Sequence, residues 1–411
     1  MIKKTLLTLY LLIATCSLLF AKDFGLILDN GTEYIGFDDK TGQFENTLSL
    51  VPRYSDLIND NIEIYISAAF NYQFMNQFVN KRYASQPLEG QHSFIPELLR
   101  TEFSMSVNNW DLSIGRIFYS DPLGFIAYGL FDGSRFALDT DIGTFSIGVL
   151  YTGLLYSKRA NIVMTDEDTY FAPKKLVCTL DWEDFLFETV RARIGVIGQF
   201  DLSGANLHTQ YFSAKFSIPA GSFVFDAGLG AGLAHYDDDL QFALAGDIGA
   251  GWMLPTSFPS QLSFLGRISS GRFLDTPLGT FMPITTVPHG SILQAPISGL
   301  SMFSLDYTAR FHEKISVNFT ASYFIRSDLG TYQSYPVFFD FDEEDSGEAD
   351  DEYLYGGYFL GGEFFARIIW SPISDVQFIL GGGAFLPALG DARPHIGVLW
   401  RAELKVVFSI Y

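Results

Sequence analysis

Apolar and polar residues alternate along most of this chain with a period of two, and that alternation predicts β-strands. The clearest run spans 314–326, where the odd positions are apolar and nearly all even positions are polar or charged. Runs at 189–201 and 261–269 follow the same rule. Each such strand has one apolar face and one polar face, so the chain is predicted to be all-β.

The alternating runs are long for the strands of a soluble protein. Soluble strands usually hold about 5–6 residues, whereas a tilted strand that crosses a bilayer needs about 9–11. The alternation divides the chain into about 18 strands, with 16 as the alternative if 24–52 form a periplasmic segment or plug. An even number of antiparallel strands closes without leaving an edge in lipid. The predicted fold is a single closed antiparallel transmembrane β-barrel.

The connections between the predicted strands alternate in length. Short turns are predicted at 108–109, 183–184 and 312–313, for example, and one predicted strand runs over 124–140. Short turns at one end and long loops at the other are typical of outer-membrane barrels. The long loops, which we assign to the extracellular side, are predicted at about 75–95, 157–173, 274–299 and 328–354.

The N-terminus has the three parts of a secretory signal peptide. Lys3 and Lys4 give it a positive start, an apolar stretch follows, and Ala21 precedes the expected cleavage point. Residues 1–21 are therefore predicted to be a signal peptide, and 22–411 the barrel. The predicted location is the bacterial outer membrane, after cleavage.

The charge of the mature chain limits its partners. Without the two lysines of the predicted signal peptide, 24 of the 26 basic residues remain and face 47 acidic ones. This excess of negative charge disfavours nucleic acid as a partner, and none is expected, because phosphate binding needs clustered Lys and Arg. Only Cys178 remains after cleavage, so no internal disulfide is expected.

The tryptophans provide a separate indication of a membrane barrel. Trp110, Trp182, Trp252 and Trp370 lie next to predicted short turns, and Trp400 lies near the opposite end of the last strand. Indole rings favour the two interfaces between membrane and water. We interpret the five residues as aromatic girdles; the alternative is that they are ordinary core tryptophans.

The chain ends on an alternating run with a terminal aromatic residue, Tyr411. Such a last strand is similar to the assembly signal of bacterial outer-membrane barrels, although Tyr411 has the opposite parity to Val406, Phe408 and Ile410. The whole mature chain resembles porin-type outer-membrane proteins of bacteria, those of spirochaetes included. The resemblance implies outer-membrane lipid as the surroundings, and barrel-assembly machinery and periplasmic chaperones as partners during biogenesis.

In a membrane barrel the apolar face meets lipid and the polar face meets the lumen. Arg116 breaks this rule, because it shares the parity of Leu112 and Ile114; a bulge at Gly115 or a position near the rim would explain it. Nine of the lumen candidates are basic and five are acidic, which favours anionic solutes. The alternative is that these charges pair across strands and merely keep the lumen wet. The candidates are Arg100, Glu102, Asp111, Arg191, Arg193, Lys215, Arg267, Asp306, Arg310, Glu363, Arg367, Arg401, Glu403 and Lys405.

Acidic residues concentrate in the predicted loop, above all over 340–352. Clustered carboxylates can bind a divalent cation such as calcium, but a charge run is more often a solvated loop. The absence of EF-hand spacing favours the solvated loop. The aromatic flank at 332–341 is a candidate constriction at the mouth of the barrel.

The sequence holds no motif that indicates catalysis. Its six histidines are scattered, and none forms an HExxH or a nucleophile elbow. His208 and Ser213 lie five residues apart on one predicted strand, so they face opposite sides. We therefore expect no enzyme activity, no cofactor and no bound metal.

The expected function is passive diffusion of small hydrophilic solutes, anionic ones among them, through a charged lumen. One alternative is a transporter of hydrophobic solutes, which predicts an N-terminal plug and an apolar pocket. The other is a surface-exposed adhesin or structural barrel that acts through its long loops.

Overall fold

The computed structural model describes residues 23–37, 41–79, 90–163, 170–204, 207–236, 239–271, 279–327, 358–390 and 397–410. The predicted signal peptide (1–21) and the predicted loop at 328–354, with its acidic stretch 340–352, lie outside these residues. None of the helices in the described ranges is long and apolar enough to cross a membrane. The two helical turns are α1 (Ser157–Ala160) and a 3-10 turn at Pro387–Leu389. The strands are β1 (Asp23–Phe37), β2 (Thr41–Asn59), β3 (Ile62–Val79), β4 (Gln91–Val107), β5 (Trp110–Ser120), β6 (Tyr128–Thr140), β7 (Gly143–Tyr151), β8 (Lys175–Leu186), β9 (Val190–Asp201), β10 (Leu207–Ala220), β11 (Phe223–Tyr236), β12 (Asp239–Met253), β13 (Ser260–Ser269), β14 (Leu300–His312), β15 (Ile315–Arg326), β16 (Phe359–Ile373), β17 (Val376–Leu386) and β18 (Leu399–Ile410).

The sheet closes on itself. Each strand pairs antiparallel with the next along the chain, and β1 pairs with β18. The closing register runs from Leu26 opposite Ile410 to Phe37 opposite Leu399. The predicted closed barrel of 18 antiparallel strands is confirmed. The alternative of 16 strands is wrong, because residues 24–52 form β1 and part of β2 in the wall itself.

Short and long connections lie at opposite ends of the barrel. One end carries turns such as 108–109, and the other carries connections such as 152–174 and 270–299. The connection between β3 and β4 spans 80–90, which is shorter than the predicted 75–95 because both strands extend into that range. The assignment of the long connections to the outside of the cell stays a prediction.

The turn predicted at 183–184 is wrong. β8 continues to Leu186, and the turn follows at 187–189. Backbone pairing with β9 continues to Leu186 opposite Val190, so Glu183 lies within the strand. Its carboxylate lies 2.6 Å from the guanidinium of Arg191 on β9.

Large apolar side chains cover the outer surface of the barrel. In β16, Phe364 and Ile368 are 43% and 46% exposed, whereas the neighbouring Glu363 and Phe365 are 0% and 1% exposed. Adjacent residues therefore face opposite sides of the wall, as the pleat of a strand requires. The exposed side is the apolar one, which is the arrangement that acyl chains favour.

Arg116 lies on the outward parity but is buried, with 8% of its surface exposed. Its guanidinium makes two hydrogen bonds to the Asp132 carboxylate, at 2.8 and 3.0 Å, and donates to the carbonyl of Leu154. The strand register runs through Gly115 without a shift, so the predicted bulge is wrong. In the strand register, Arg116 lies opposite Asp132 of β6, and Asp132 lies opposite Tyr151, the last residue of β7. Arg116 therefore lies near the rim of this part of the wall. Its charge is neutralised there by a bidentate ion pair.

Candidate functional site: the interior of the barrel

The connection between β5 and β6 folds back on a buried carboxylate. Asp121 accepts hydrogen bonds from the backbone N–H groups of Leu123 at 2.8 Å, Ile126 at 2.9 Å and Ala127 at 3.0 Å. Burial raises the pKa of Asp121, and these N–H groups act against that rise. The predicted strand 124–140 is therefore wrong over 124–127, because those backbone groups bind Asp121 instead of a neighbouring strand.

This segment, 121–127, crosses the inside of the barrel. It leaves the wall between β5 and β6, yet Leu123 packs against β11, where a Cβ on Gly228 would lie 2.4 Å from its Cδ2. A Cβ on Gly195 of β9 would likewise lie 2.9 Å from Cδ of Pro122. Residues without side chains thus let the segment reach a distant part of the wall. These glycines mark the inward-facing positions of β9 and β11.

A second segment, 279–300, joins the first. The N–H of Ile284 donates to the carbonyl of Ile126 at 2.7 Å, and the hydroxyl of Thr285 accepts from the N–H of Tyr128 at 2.8 Å. On β10, the hydroxyl of Tyr211 donates to the carbonyl of Met282. The two inner segments therefore form one hydrogen-bonded body inside the barrel.

Two apolar clusters pack the inner segments against the wall. The first includes Phe125, Phe281 and Tyr211 and involves β5 to β10 and β12, and the second includes Ile292 and Phe385 and involves β14 to β18. Among the described residues, neither cluster includes a side chain from β1 to β4. Within the described ranges, the apolar packing of the inner segments therefore lies on the part of the wall from β5 to β18.

A row of candidate residues lies on the inward face below the first segment. Arg193, Lys215, Gly228, Asp247 and Arg267 are successive partners across β9 to β13. Directly opposed residues on neighbouring strands project to the same face, and Gly228 faces inward. The row brings together three sequence-predicted cations and one carboxylate that was not predicted.

Arg267 contacts the inner segments directly. Its guanidinium lies 5.2 Å from the ring centroid of Phe125 and 2.9 Å from Nε2 of His289. Burial, and then the adjacent Arg267 charge, lower the pKa of His289 to about 4. The imidazole is therefore neutral, and its Nε2 accepts the hydrogen bond from Arg267.

Most basic candidates pair with a carboxylate. Seven of the nine do so, six of them across strands and Arg100 with Glu102 within β4, which fits the alternative of charge pairing between strands. The pairs are Arg100–Glu102 (2.5 Å), Arg191–Glu183 (2.6 Å), Arg193–Glu183 (3.5 Å), Lys215–Asp247 (2.7 Å), Arg367–Glu403 (2.5 Å), Arg401–Glu33 (2.9 Å) and Lys405–Asp29 (2.6 Å).

Four of these partner carboxylates were missed from the sequence: Asp29, Glu33, Glu183 and Asp247. The alternation of apolar and polar positions could have identified most of them. Asp247, for example, is the polar neighbour of the apolar Ile248 in a predicted strand. Glu183 was assigned to a turn. Their omission made the predicted wall more basic than the wall that the structure describes.

The remaining candidates lie apart from these pairs. Asp306 accepts a hydrogen bond from the Thr320 hydroxyl at 2.6 Å. Arg310 donates to the carbonyl of Glu313 beside a short turn, and Asp111 is exposed next to the turn between β4 and β5. Glu363 is fully buried and binds the second inner segment.

The tryptophans lie near strand ends. Trp110 begins β5, Trp252 and Trp370 lie near the ends of β12 and β16, and Trp400 lies near the beginning of β18. The indole N–H of Trp182 donates to a carbonyl in the turn between β6 and β7 at 2.8 Å. Their role as membrane girdles stays a prediction.

The acidic stretch predicted as a possible cation site lies outside the described residues. Within the described ranges, no group of three or more His, Cys, Asp and Glu side chains could hold a metal ion.

The likeness of this chain to known proteins lies in its fold. No protein-family model and no curated protein matches the sequence. The structure is similar to that of Pseudomonas aeruginosa OccK7 (OpdD), with 12% identity, a TM-score of 0.63, and coverage of 95% of this chain and 99% of that chain. The fold is that of the outer-membrane porins.

Two further Pseudomonas aeruginosa structures support this likeness of fold. The outer-membrane protein OprD is 10% identical, with a TM-score of 0.56 and coverage of 94% of this chain and 92% of that chain. OccK2 (OpdF), in complex with glucuronate, is 11% identical, with a TM-score of 0.56 and coverage of 95% and 99%. The porin-type resemblance noted in the sequence is confirmed at the level of the fold.

Proposed function

We propose that this protein is a channel of the bacterial outer membrane through which small hydrophilic solutes diffuse passively, with a preference for anions. The observation that supports this proposal most directly is a closed barrel with apolar residues outside and rows of charged residues inside. A closed wall separates the interior from lipid, and charged side chains keep that interior wet. The similar OccK2 structure holds glucuronate, which is an anionic sugar acid.

The proposed passage follows the wall along β1 to β4, which adds no described side chain to the two apolar clusters, and the part of β18 around Lys405, beyond the contact of Arg401 with the second inner segment. Arg100 and Glu102 of β4 and Lys405 of β18 lie on this part of the wall. We propose that the fourteen sequence-predicted candidates line the passage or support the side chains that do. The five tryptophans are proposed to lie at the two membrane interfaces.

The preference for anions rests on two pairs of this wall in which the cation is the more exposed member. Side-chain exposure is 48% for Arg100 against 9% for Glu102, and 44% for Lys405 against 26% for Asp29. In the Arg401–Glu33 pair the carboxylate is the more exposed member, at 30% against 11%. At Arg100 and Lys405, a passing solute meets the cation first. Such a wall attracts anions more than its balance of charges alone suggests.

The alternatives have less support. A transporter of hydrophobic solutes needs an N-terminal plug, yet residues 23–37 are a wall strand. An adhesin would act through the loop at 328–354. If the adhesin hypothesis is correct, deleting that loop should abolish attachment and leave permeability intact. We propose that the protein is a channel and not an enzyme.

Conductance across a planar bilayer tests the proposal. We expect the purified, folded barrel to give discrete current steps and a reversal potential that indicates anion preference. A folded barrel that gives no current above the detergent control would overturn the channel proposal.

Reversing one exposed charge tests the anion preference. We expect Lys405→Glu to lower the ratio of anion to cation permeability by roughly twofold, because the wall then presents a negative charge. Lys314→Glu is the matched control, since Lys314 lies in a short turn outside the passage. Equal ratios for the two variants would contradict the proposed role of the wall.

A further inference from the structure

The carboxylate of Glu363 binds the second inner segment only through the backbone N–H groups of that segment. The N–H of Ser291 donates to one carboxylate oxygen at 2.6 Å, and those of Ile292 and Leu293 donate to the other at 3.0 and 3.1 Å. Three successive N–H groups that converge on one anion form a nest. Because Glu363 has no exposed surface, these hydrogen bonds replace water around its carboxylate.

The backbone around the nest is shaped for this contact. Gly290 precedes it with φ 86°, and a Cβ there would lie 2.9 Å from both carboxylate oxygens of Glu363. On the other side, the guanidinium of Arg401 donates to the carbonyl of Ser291 and to the Glu33 carboxylate. The segment is therefore held from both β16 and β18 at one point.

The opposite part of the same segment is held on β10, through Tyr211 and Met282. Since β10 and β18 are separated by almost half of the ring, the segment spans the interior between two anchors. If the interior conducts, a segment held across it narrows the passage, and releasing one anchor would widen it.

We propose that Glu363 is a positioning residue that clasps the segment 279–300 across the barrel and thereby sets the width of the passage. The statement about width rests on the proposed channel function; the statement about the clasp does not. Glutamine keeps the shape of Glu363 but replaces one acceptor oxygen with an NH₂ donor. That donor faces a backbone N–H, so glutamine loses at least one of the three hydrogen bonds and the negative charge that the nest binds.

Single-channel recording of Glu363→Gln tests the effect on the passage. We expect its conductance to rise by about twofold or more, with added current fluctuation, because the freed segment no longer narrows the interior. Glu313→Gln is the matched control, since it makes the same exchange in the short turn after β14. Conductance equal to that of the control would overturn the effect on width.

A spectroscopic measurement tests the clasp without any current. In a Cys178→Ser background, Gln294→Cys places a spin label at an exposed position of the segment, next to the nest. We expect a restricted label with Glu363 present and a mobile one in Glu363→Gln. A label equally restricted in both proteins would overturn the clasp.

The two readouts separate failure of the clasp from failure of the channel. If the wild-type protein gives no current but the label becomes mobile in Glu363→Gln, the clasp holds and the proposed function fails. Gly290→Ala provides a second variant, because its Cβ would crowd the same carboxylate, and it should mobilise the label as well. Heat-modifiable migration in gels confirms that each variant still forms a barrel.

Discussion

Replacing Asp121 with alanine is expected to lower the free energy of unfolding by about 3 kcal/mol or more, because hydrogen bonds to a charged group contribute about 1.5–3 kcal/mol each. Three backbone N–H groups bind this carboxylate, and all of them lie in the segment that crosses the barrel. Without it they remain buried and unpaired, so the segment loses its fold. Urea unfolding in detergent micelles, followed by tryptophan fluorescence, measures the change.

The control for this prediction is Asp141→Ala. Asp141 is exposed in the turn after β6, so its replacement should change the free energy of unfolding by no more than about 0.5 kcal/mol. If Asp121→Ala unfolds at the same urea concentration as this control, Asp121 does not hold the segment. The first segment would then be held inside the barrel by other contacts.

Arg116→Met is expected to destabilise the barrel by about 3–5 kcal/mol, the usual cost of removing one partner from a buried ion pair. The substitution leaves Asp132 charged on the outward parity and removes a donor from the carbonyl of Leu154. The measurement is again the free energy of unfolding, made in lipid vesicles so that acyl chains contact the outer surface.

The double variant Arg116→Met with Asp132→Leu provides the control. Removing both charges eliminates the unpaired carboxylate, so most of the lost stability should return. A double variant as unstable as the single one would show that the packing of Arg116, and not its charge, matters at this position.

The sequence predicts the wall of this barrel well because the wall follows from a local rule. Strand alternation is visible residue by residue, and closure follows from the cost of an open edge in lipid. Several boundaries moved, and the clearest physical reason is at β6, where Asp121 binds backbone N–H groups and delays the beginning of the strand. β8 ends later than predicted, and Glu183 pairs with Arg191 of β9 there.

The inner segments were not predicted, because their contacts join distant parts of the chain. Tyr128 and Thr285 are hydrogen-bonded although 157 positions separate them. In the sequence, Phe125 fits a strand and Phe281 fits a loop, and neither shows that they meet inside the barrel. The constriction was predicted instead at 332–341, which lies outside the described residues.

The charged residues show the same limit. Parity predicts which charges share a face, but their pairing depends on the strand register and on closure. Arg401 and Glu33 are 368 positions apart and meet only because β18 closes on β1. The fourteen lumen candidates predicted from the sequence were therefore mostly cations, whereas the structure places a carboxylate next to most of those cations.

One parity of each strand is expected to face lipid and the other to face water. Leu404 and Lys405 are adjacent in β18 and lie on opposite sides of the wall; Leu404 is 48% exposed, and 44% of the Lys405 side chain is exposed. Because neither is covered by the protein on its own side, a marked difference in their access to water is expected to come from the phase on that side. Cysteine at either position, in a Cys178→Ser background reconstituted in vesicles, can be tested with a membrane-impermeant thiol reagent. We expect Lys405→Cys to react and Leu404→Cys to stay protected; equal reaction at both positions, or reaction at Leu404→Cys alone, would contradict the account.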